Sequence, residues 1–188
     1  MEFRTARLRL EPLTAAHRTH AIALFQDHRT WAHLAGSPAD AASTAASFIA
    51  LAERSRSETG LGIWAAFLRD DVTDGPPVPG GFIGIGGVRT TATGPWNLGL
   101  SIVPAAWGRG HASEIAQAAV AAATAVAPDR PVTARALAAN VGSERALTRA
   151  GLRSVWEGPS TETPGATARI YTTAPLSEVS LAWLVEHS

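Results

Sequence analysis

The chain has 188 residues, 46% of them apolar, with 16 lysines and arginines against 16 aspartates and glutamates. That length suits one domain with a single core, and the even charge excludes a globally basic nucleic-acid binder or a polybasic membrane surface, so any polyanion must be met locally. The lack of cysteine excludes disulfides, thiolate metal sites and a cysteine nucleophile, and fits a reducing compartment.

The opening "MEFRTARLRLEPL" is charged and alternating, without the apolar run that a signal peptide or membrane span needs, so a soluble cytoplasmic protein is expected. Within it "ARLRLEPL" alternates over Leu8 and Leu10 until Pro12 and reads as a strand. Thr14 is placed as the N-cap of a helix reaching about Gln26, with Ile22 and Phe25 on its apolar face. His17 and His20, one turn apart there, lack a third ligand at recognisable spacing and read as solvent-facing, and no metal is expected.

"DHRTWAHLAGSPA" has no period and reads as a loop carrying Trp31 and His33. A second helix is expected from about Asp40 to Glu58, because Ala45, Phe48, Ile49 and Ala52 recur at helical spacing. "GIWAAFL" is a buried strand, "DDVTDGPPVPG" a turn, and "GFIGIGGV" a strand whose glycines mark close approach by another backbone or a ligand. "WNLGLSI" follows, with Trp96, Leu98, Leu100 and Ile102 on one face and Asn97, Gly99 and Ser101 on the other.

A helix whose stripe runs from Ala112 through Ile115, Ala119 and Ala123 to Val126 is stopped by Pro128. "PVTARAL" is a strand, and Asn140 caps a short helix with Gly151 at the left-handed position beyond its end. "LRSVWEG" and "ATARIYTTA" are two strands around the turn "PSTETPG". The tail "LSEVSLAWLVEHS" reads as a last short helix, with Leu181, Trp183 and Leu184 to cover an interface or dock on the core. The whole is one domain over residues 1–188, with 175–188 as an extension, and shows no internal repeat.

Chemistry concentrates in "SIVPAAWGRGHASEIAQAAV", where a strand passes through Gly108-Arg109-Gly110 into a helix. Free N–H groups and the positive end of a helix dipole attract a phosphate or pyrophosphate there, and Arg109 adds a charge. A P-loop requires Gly-Lys-Ser/Thr, and lysine is missing. A dinucleotide fingerprint requires a third glycine where Ser113 stands and an acid at the end of the following strand, whereas Asp129 precedes that strand. A coenzyme A pyrophosphate loop remains, beside the plainer reading that the two glycines only shape a turn.

"WNLGLSIVP", "AAWGRGHASEIAQAAV" and "NVGSERALTRAGLRSV", in this order and separation, resemble the core of the GNAT superfamily of acetyl-CoA-dependent N-acetyltransferases. The Trp-Gly-x-Gly-x-Ala-x-Glu and Asn-x-x-Ser-x-x-x-Leu-x-x-x-Gly-Leu runs, and the opening "RTARLRLEPLTAAH", are most similar to its RimJ/RimL-like branch. The resemblance covers all but the tail. It implies an α+β fold of α/β/α layers, with a mixed, mostly antiparallel central sheet flanked by helices. It also implies acetyl-CoA as cosubstrate, no metal, and the homodimer common in the family.

By the same resemblance, Trp107, Gly108, Arg109, Gly110, His111, Ala112 and Ser113 form the pyrophosphate loop; for Trp107 a core anchor is the plainer reading and is expected over direct contact. The strand carrying Leu100, Ser101 and Ile102 pairs with the pantetheine arm, which Asn140 also contacts. Backbone amides of that strand serve the oxyanion. Ser143 resembles the proton donor to the departing thiolate, either alone or sharing the task with water. Asn97 stands where the branch often has a glutamate, and asparagine cannot accept a proton at neutral pH. It positions a water, or His111, His33 or Glu114 serves as base, or the amine arrives neutral. Trp31 and His33 lie on the acceptor side, with Trp64 and Trp156 as further aromatic candidates. The implied reaction is acetylation of a primary amine, foremost a protein or peptide N-terminus of the ribosomal-protein type. A small amine such as an antibiotic, polyamine or amino acid, and a non-catalytic acyl-CoA-binding module, are the alternatives.

Overall fold

The computed structural model describes residues 2–31, 40–72, 78 and 81–187. Among these residues eight strands form a single sheet in the order β1-β2-β3-β4-β5-β6-β8-β7. They are β1 (Phe3–Arg4), β2 (Leu8–Pro12), β3 (Ile63–Leu68), β4 (Phe82–Thr90), β5 (Trp96–Ile102), β6 (Val132–Leu137), β7 (Arg153–Pro159) and β8 (Thr167–Thr172). The helices are α1 (Arg18–Gln26), α2 (Ala41–Thr59), α3 (His111–Val126), α4 (Val141–Arg149) and α5 (Glu178–Glu186). β5 and β6 run parallel, and every other neighbouring pair is antiparallel.

The sheet is covered on both faces, which explains why β3, and β4 as far as Val88, are apolar. Ile49 and Ala52 of α2, with Ala21, Leu24 and Phe25 of α1, bury Ile63, Ala65, Phe67 and Ile85 on one face. Ile115, Ala116, Ala119 and Ala123 of α3, with Leu147 of α4, bury Trp64, Val88, Trp96 and Leu98 on the other. Alanine is the repeated residue of α3 because the helix lies close to the sheet. A Cβ on Gly86 would stand 2.6 Å from Leu100 Cδ2 and 2.7 Å from Ile115 Cγ2. The strand glycines therefore do admit neighbours, and at Gly86 the neighbours are side chains of β5 and α3.

Most expected elements form where the periodicity placed them, with Asp40 capping α2 through bonds accepted from the Ala42 and Ser43 N–H groups. Two features differ. Strand β1 was not expected, being too short to show a period, and α1 is preceded by a 3-10 turn over Ala15–His17.

The expectation that His17 and His20 face solvent is overturned. His17 is 8% exposed, its ring lies 5.8 Å from that of Phe67, and its Nε2 is 3.1 Å from Glu11 Oε2. His20 packs edge-on against Phe67 and 4.9 Å from Phe82. Both imidazoles pack on the aromatic end of the core, His17 buried and His20 partly so. The tail docks on its own fold: Leu184 is 1% exposed, and Ser180 Oγ donates to the Thr93 carbonyl at 3.1 Å.

Candidate active site

The sheet divides at β5 and β6, the one parallel pair among the described strands. β5 and β6 are in register at Trp96↔Val132 and Asn97↔Thr133 and no further. Trp96 N–H donates to the Pro131 carbonyl at 2.8 Å, and Thr133 Oγ1 donates to the Trp96 carbonyl at 2.7 Å. Backbone groups alternate sides along a strand, so Leu98, Leu100 and Ile102 turn their N–H and C=O groups toward the same edge as Trp96. Among the described residues no strand pairs with that edge beyond the Asn97↔Thr133 pair, while the other edge of β5 stays paired to β4 as far as Ile102. Unpaired strand groups are an invitation to an extended partner.

The open edge leads into the glycine loop. Gly108 and Gly110 take φ +74° and +81°, a conformation that costs a side-chain-bearing residue about 1–2 kcal/mol. Gly110 is the N-cap of α3 and, having no side chain, leaves the first-turn amides without a side-chain cap. The loop is held from across the sheet by Arg7, whose Nη1 donates to the Arg109 carbonyl at 2.8 Å. Arg7 Nε and Nη2 both lie 2.8 Å from Glu114 Oε2, and the Arg7 amide and Thr5 hydroxyl donate to Oε1 at 2.8 and 2.5 Å.

Glu114 is therefore a structural carboxylate. Burial pushes its pKa up, but the Thr5 and Arg7 hydrogen bonds and the Arg7 charge outweigh that and hold it below the usual value. His111 is 3% exposed with both ring nitrogens unpartnered, and burial, then the Arg7 charge, pushes its pKa down. Neither is among the described residues that line the cavity discussed below.

Trp107 is not the core anchor that was expected. It is 50% exposed, and its indole N–H donates to the Ile102 carbonyl at 2.8 Å, occupying the last acceptor of the open β5 edge. The ring caps the strand and leaves its own face to solvent.

On the far side of the opening, Asn140 Oδ1 accepts the Ser143 N–H at 3.0 Å, the N-cap expected for α4. This bond occupies the side-chain oxygen and leaves the amide NH2 as a donor. Arg169 Nη1 donates to Glu144 Oε2 at 3.1 Å, and Gln117 Nε2 to the Arg149 carbonyl at 3.0 Å, tying α4 to β8 and α3. Ser143 thus stands on a helix fixed at both ends.

A cavity of about 290 Å³ occupies the division. Asn97, Leu98, Gly99, Leu100 and Ser101 of β5 meet Ser143 and Leu147 of α4 there, with Phe48 and Leu51 of α2 as an apolar wall. The structure brings Asn97 and Ser143 into one space. Trp31 stands apart from it, with its indole N–H bonded to the Phe25 carbonyl at 3.0 Å, and His33 lies outside the described residues. Trp64 is 3% exposed against Phe3 and belongs to the core.

Sequence reasoning missed three polar residues in the cavity: Arg89 of β4, Arg135 of β6, and Glu162 of the β7–β8 turn. The available signal was an arginine in the middle of "VTARAL", a strand with neighbours on both sides. Among the described residues no group of three or more histidine, aspartate or glutamate side chains gathers as a metal site, and no helix is long and apolar enough to cross a membrane.

The model of the acetyltransferase (GNAT) domain matches residues 7–153. The chain belongs to the GNAT acetyltransferase family. As such it is an N-acetyltransferase, and enzymes of this family take their acetyl group from acetyl-CoA.

Several solved structures share its fold. One assigned to the GnaT family, from Bordetella pertussis, is 21% identical with a TM-score of 0.72, over 93% of this chain and 99% of that one. RimL, a ribosomal alpha-N-protein acetyltransferase in complex with coenzyme A, is 14% identical with a TM-score of 0.67, over 92% and 97%. A ribosomal-protein alanine acetyltransferase from Vibrio fischeri is 10% identical with a TM-score of 0.69, over 92% and 95%. These likenesses speak for the fold. No curated protein matches the chain significantly.

Proposed function

We propose that this acetyltransferase moves an acetyl group from acetyl-CoA to an α-amino group, foremost that of a protein or peptide N-terminus, as a cytoplasmic member of the RimJ/RimL-like branch. The carrying observation is the division of the sheet: an unpaired β5 edge, the glycine loop at one end and a cavity holding Asn97 and Ser143 along it. Ribosomal-protein acetyltransferases among its structural neighbours support the substrate class.

The uncapped first-turn amides of α3, with Gly108, Arg109, Gly110, His111, Ala112 and Ser113 around them, fit a pyrophosphate. The edge from Leu98 to Ile102 fits the amide-bearing pantetheine arm, with the Asn140 NH2 as a further donor from α4. The bound coenzyme supplies an activated acetyl thioester.

Acyl transfer then makes three demands on the protein. A backbone N–H of the unpaired β5 edge, beyond the last β5–β6 pair, is the donor for negative charge developing on the reacting carbonyl oxygen. Ser143 Oγ supplies the proton for the departing thiolate and regains one from the attacking nitrogen, directly or through water, so that the proton lost by the amine balances the one taken by sulfur. Asn97 orients the amine or a water beside it and takes no proton itself. That last point favours an α-amine: its ordinary pKa of about 7.7–8.0 leaves a sizeable neutral fraction near pH 7, whereas a lysine-type amine at about 10.4 leaves almost none.

A small amine is the second reading, supported by the cavity of about 290 Å³, at the lower end of the range for small-ligand sites. Thiol release from acetyl-CoA, measured against N-terminal peptides, free amino acids, polyamines and aminoglycosides, tests both. Turnover on peptides with free N-termini is expected, and turnover confined to polyamines or aminoglycosides removes the α-amine reading.

A further inference from the structure

We propose that the acceptor carries an anionic group, a carboxylate or phosphate, close to the amine that is acetylated, and that Arg89 and Arg135 dock it. This deepens the proposed function and rests on it.

Arg89 pairs in register with Asn97 across β4 and β5, so the two side chains leave the same face of the sheet side by side. Arg135 follows Thr133, the register partner of Asn97 on β6, by two residues and so shares its face. Both arginines line the cavity that contains Asn97 and Ser143. The guanidiniums therefore flank the point where β5 and β6 part, which the reaction requires the amine to reach.

Among the described residues their charge is only partly compensated. Arg89 is partly buried and has no hydrogen-bond or ion-pair partner among the described residues. Arg135 Nη1 is buried without a partner, and its Nη2 donates to Glu162 Oε1 at 3.2 Å. Glu162 is the one carboxylate among the described lining residues, and its side chain is 62% exposed, so it holds Arg135 weakly. Burial, then the adjacent Arg135 charge, pushes the Arg89 pKa down, and Glu162 offsets part of this.

Two guanidiniums against one solvent-facing carboxylate, in a recess with Phe48 and Leu51 on its wall, are costly unless something anionic arrives. Arginine donors in a fork match a carboxylate or phosphate. A cationic polyamine or aminoglycoside meets repulsion at the same place. Two sources present the required group: the α-carboxylate or phosphate of a small amino compound, or an aspartate or glutamate next to a peptide N-terminus.

The test measures kcat/KM by thiol release for matched pairs: a free amino acid and its amide, phosphoserine and serine, and peptides differing only in Asp, Asn or Lys at the second position. Wild type, R89Q, R89K and R135Q are compared, with calorimetry of coenzyme A binding to each. The expected result is a preference of roughly 10- to 100-fold for the anionic member of one pair type, the size expected of charged hydrogen bonds. That preference should collapse in R89Q and R135Q and return in part in R89K, with neutral-acceptor rates and coenzyme A affinity near wild type. The responsive pair identifies the source.

Equal rates across pairs, or a preference that survives R89Q and R135Q, overturn the proposal and leave the transferase reading standing. Equal loss on neutral and anionic acceptors makes the arginines structural and also overturns it. Failure of the wild type to bind coenzyme A defeats the proposed function itself, and the proposal with it.

Discussion

Arg7 and Glu114, 107 positions apart in sequence, are joined by two contacts of 2.8 Å from the guanidinium to one carboxylate oxygen, while the third guanidinium nitrogen holds the Arg109 carbonyl. One side chain thus links the start of the chain, the glycine loop and the first turn of α3. Glu114 also sits where a helix dipole favours negative charge. The Glu-x-x-x offset from Gly110 is therefore architectural: it turns the loop's carbonyl toward Arg7 and leaves the amides at the start of α3 unengaged.

Replacing Glu114 with glutamine should remove the charge and weaken the fork, costing about 2 kcal/mol of stability at neutral pH for a partly buried pair. Coenzyme A affinity should fall roughly tenfold because the Arg109 peptide loses its tether. The sign with pH is set by the lowered carboxyl pKa. Glu114 contributes fully above the ordinary carboxylate value and loses that contribution as pH falls through the lower folded value. Wild type and variant should therefore converge in melting temperature on acidification. A constant gap between them down to the acid limb would show that the charge is not what stabilises the loop.

His111 gives the opposite kind of prediction. Its ring is buried without partners and its pKa is lowered, first by burial and then by Arg7, so it is held neutral in the folded state. The unfolded chain binds the proton more readily, and stability drops as pH falls below about 6.5, the ordinary histidine value. His111→Leu removes two unsatisfied nitrogens at similar volume. It should match or exceed wild-type stability at pH 7, by up to about 2 kcal/mol, and flatten the decline between pH 6.5 and 5. Thermal unfolding across that range decides it, and a strongly destabilised leucine variant would mean that the imidazole has a polar role.

Elements repeated at helical or strand period were legible in the sequence because burial writes that period directly, as in α3 and in the alternation of β5. The glycine loop and the Asn140 cap were legible because backbone geometry demands particular residues there. The Arg7–Glu114 fork was not, since nothing local marks a partner 107 positions away, nor was the fate of His17 and His20, whose burial depends on Phe67 and Phe82 from other strands. Trp107 was misread as a core anchor, while its position one turn past a strand end put the ring outside. Arg89 and Arg135 were not singled out, because only the order β4-β5-β6 brings them to one cavity.

Gly110 should tolerate no side chain without loss of function. At φ +81° an alanine costs about 1–2 kcal/mol, and its Cβ would meet Arg7 Nη2 at 3.5 Å, ordinary contact, so the loss comes from the backbone. Gly110→Val should add the stiffness of a branched side chain and abolish coenzyme A binding by calorimetry. Gly110→Ala should retain the fold and bind at least tenfold more weakly. Unimpaired binding in both would leave Gly108-Arg109-Gly110 as a turn and nothing more.

Ser143 and Asn97 face one cavity but are assigned different tasks, and kinetics separates them. Ser143 N–H is tied to Asn140 whichever side chain is present, so Ser143→Ala leaves the α4 cap intact. It should lower kcat by about 10²-fold, toward the lower end for a lost general acid, with the KM for acetyl-CoA within about twofold. Asn97→Ala should raise the acceptor KM and lower kcat together, because it removes orientation and not a proton acceptor. In both proteins kcat/KM should climb with pH and level off near the pKa of the acceptor's own α-amine, about 8, as expected when the amine supplies its own neutral form. A limiting pKa that stays fixed while the amine's pKa is varied across a peptide series would show that a protein base exists after all. Asn97→Glu then tests the position itself. A gain in rate below pH 7 would mean that a carboxylate there can act as base and that the natural asparagine confines the enzyme to amines that are already neutral.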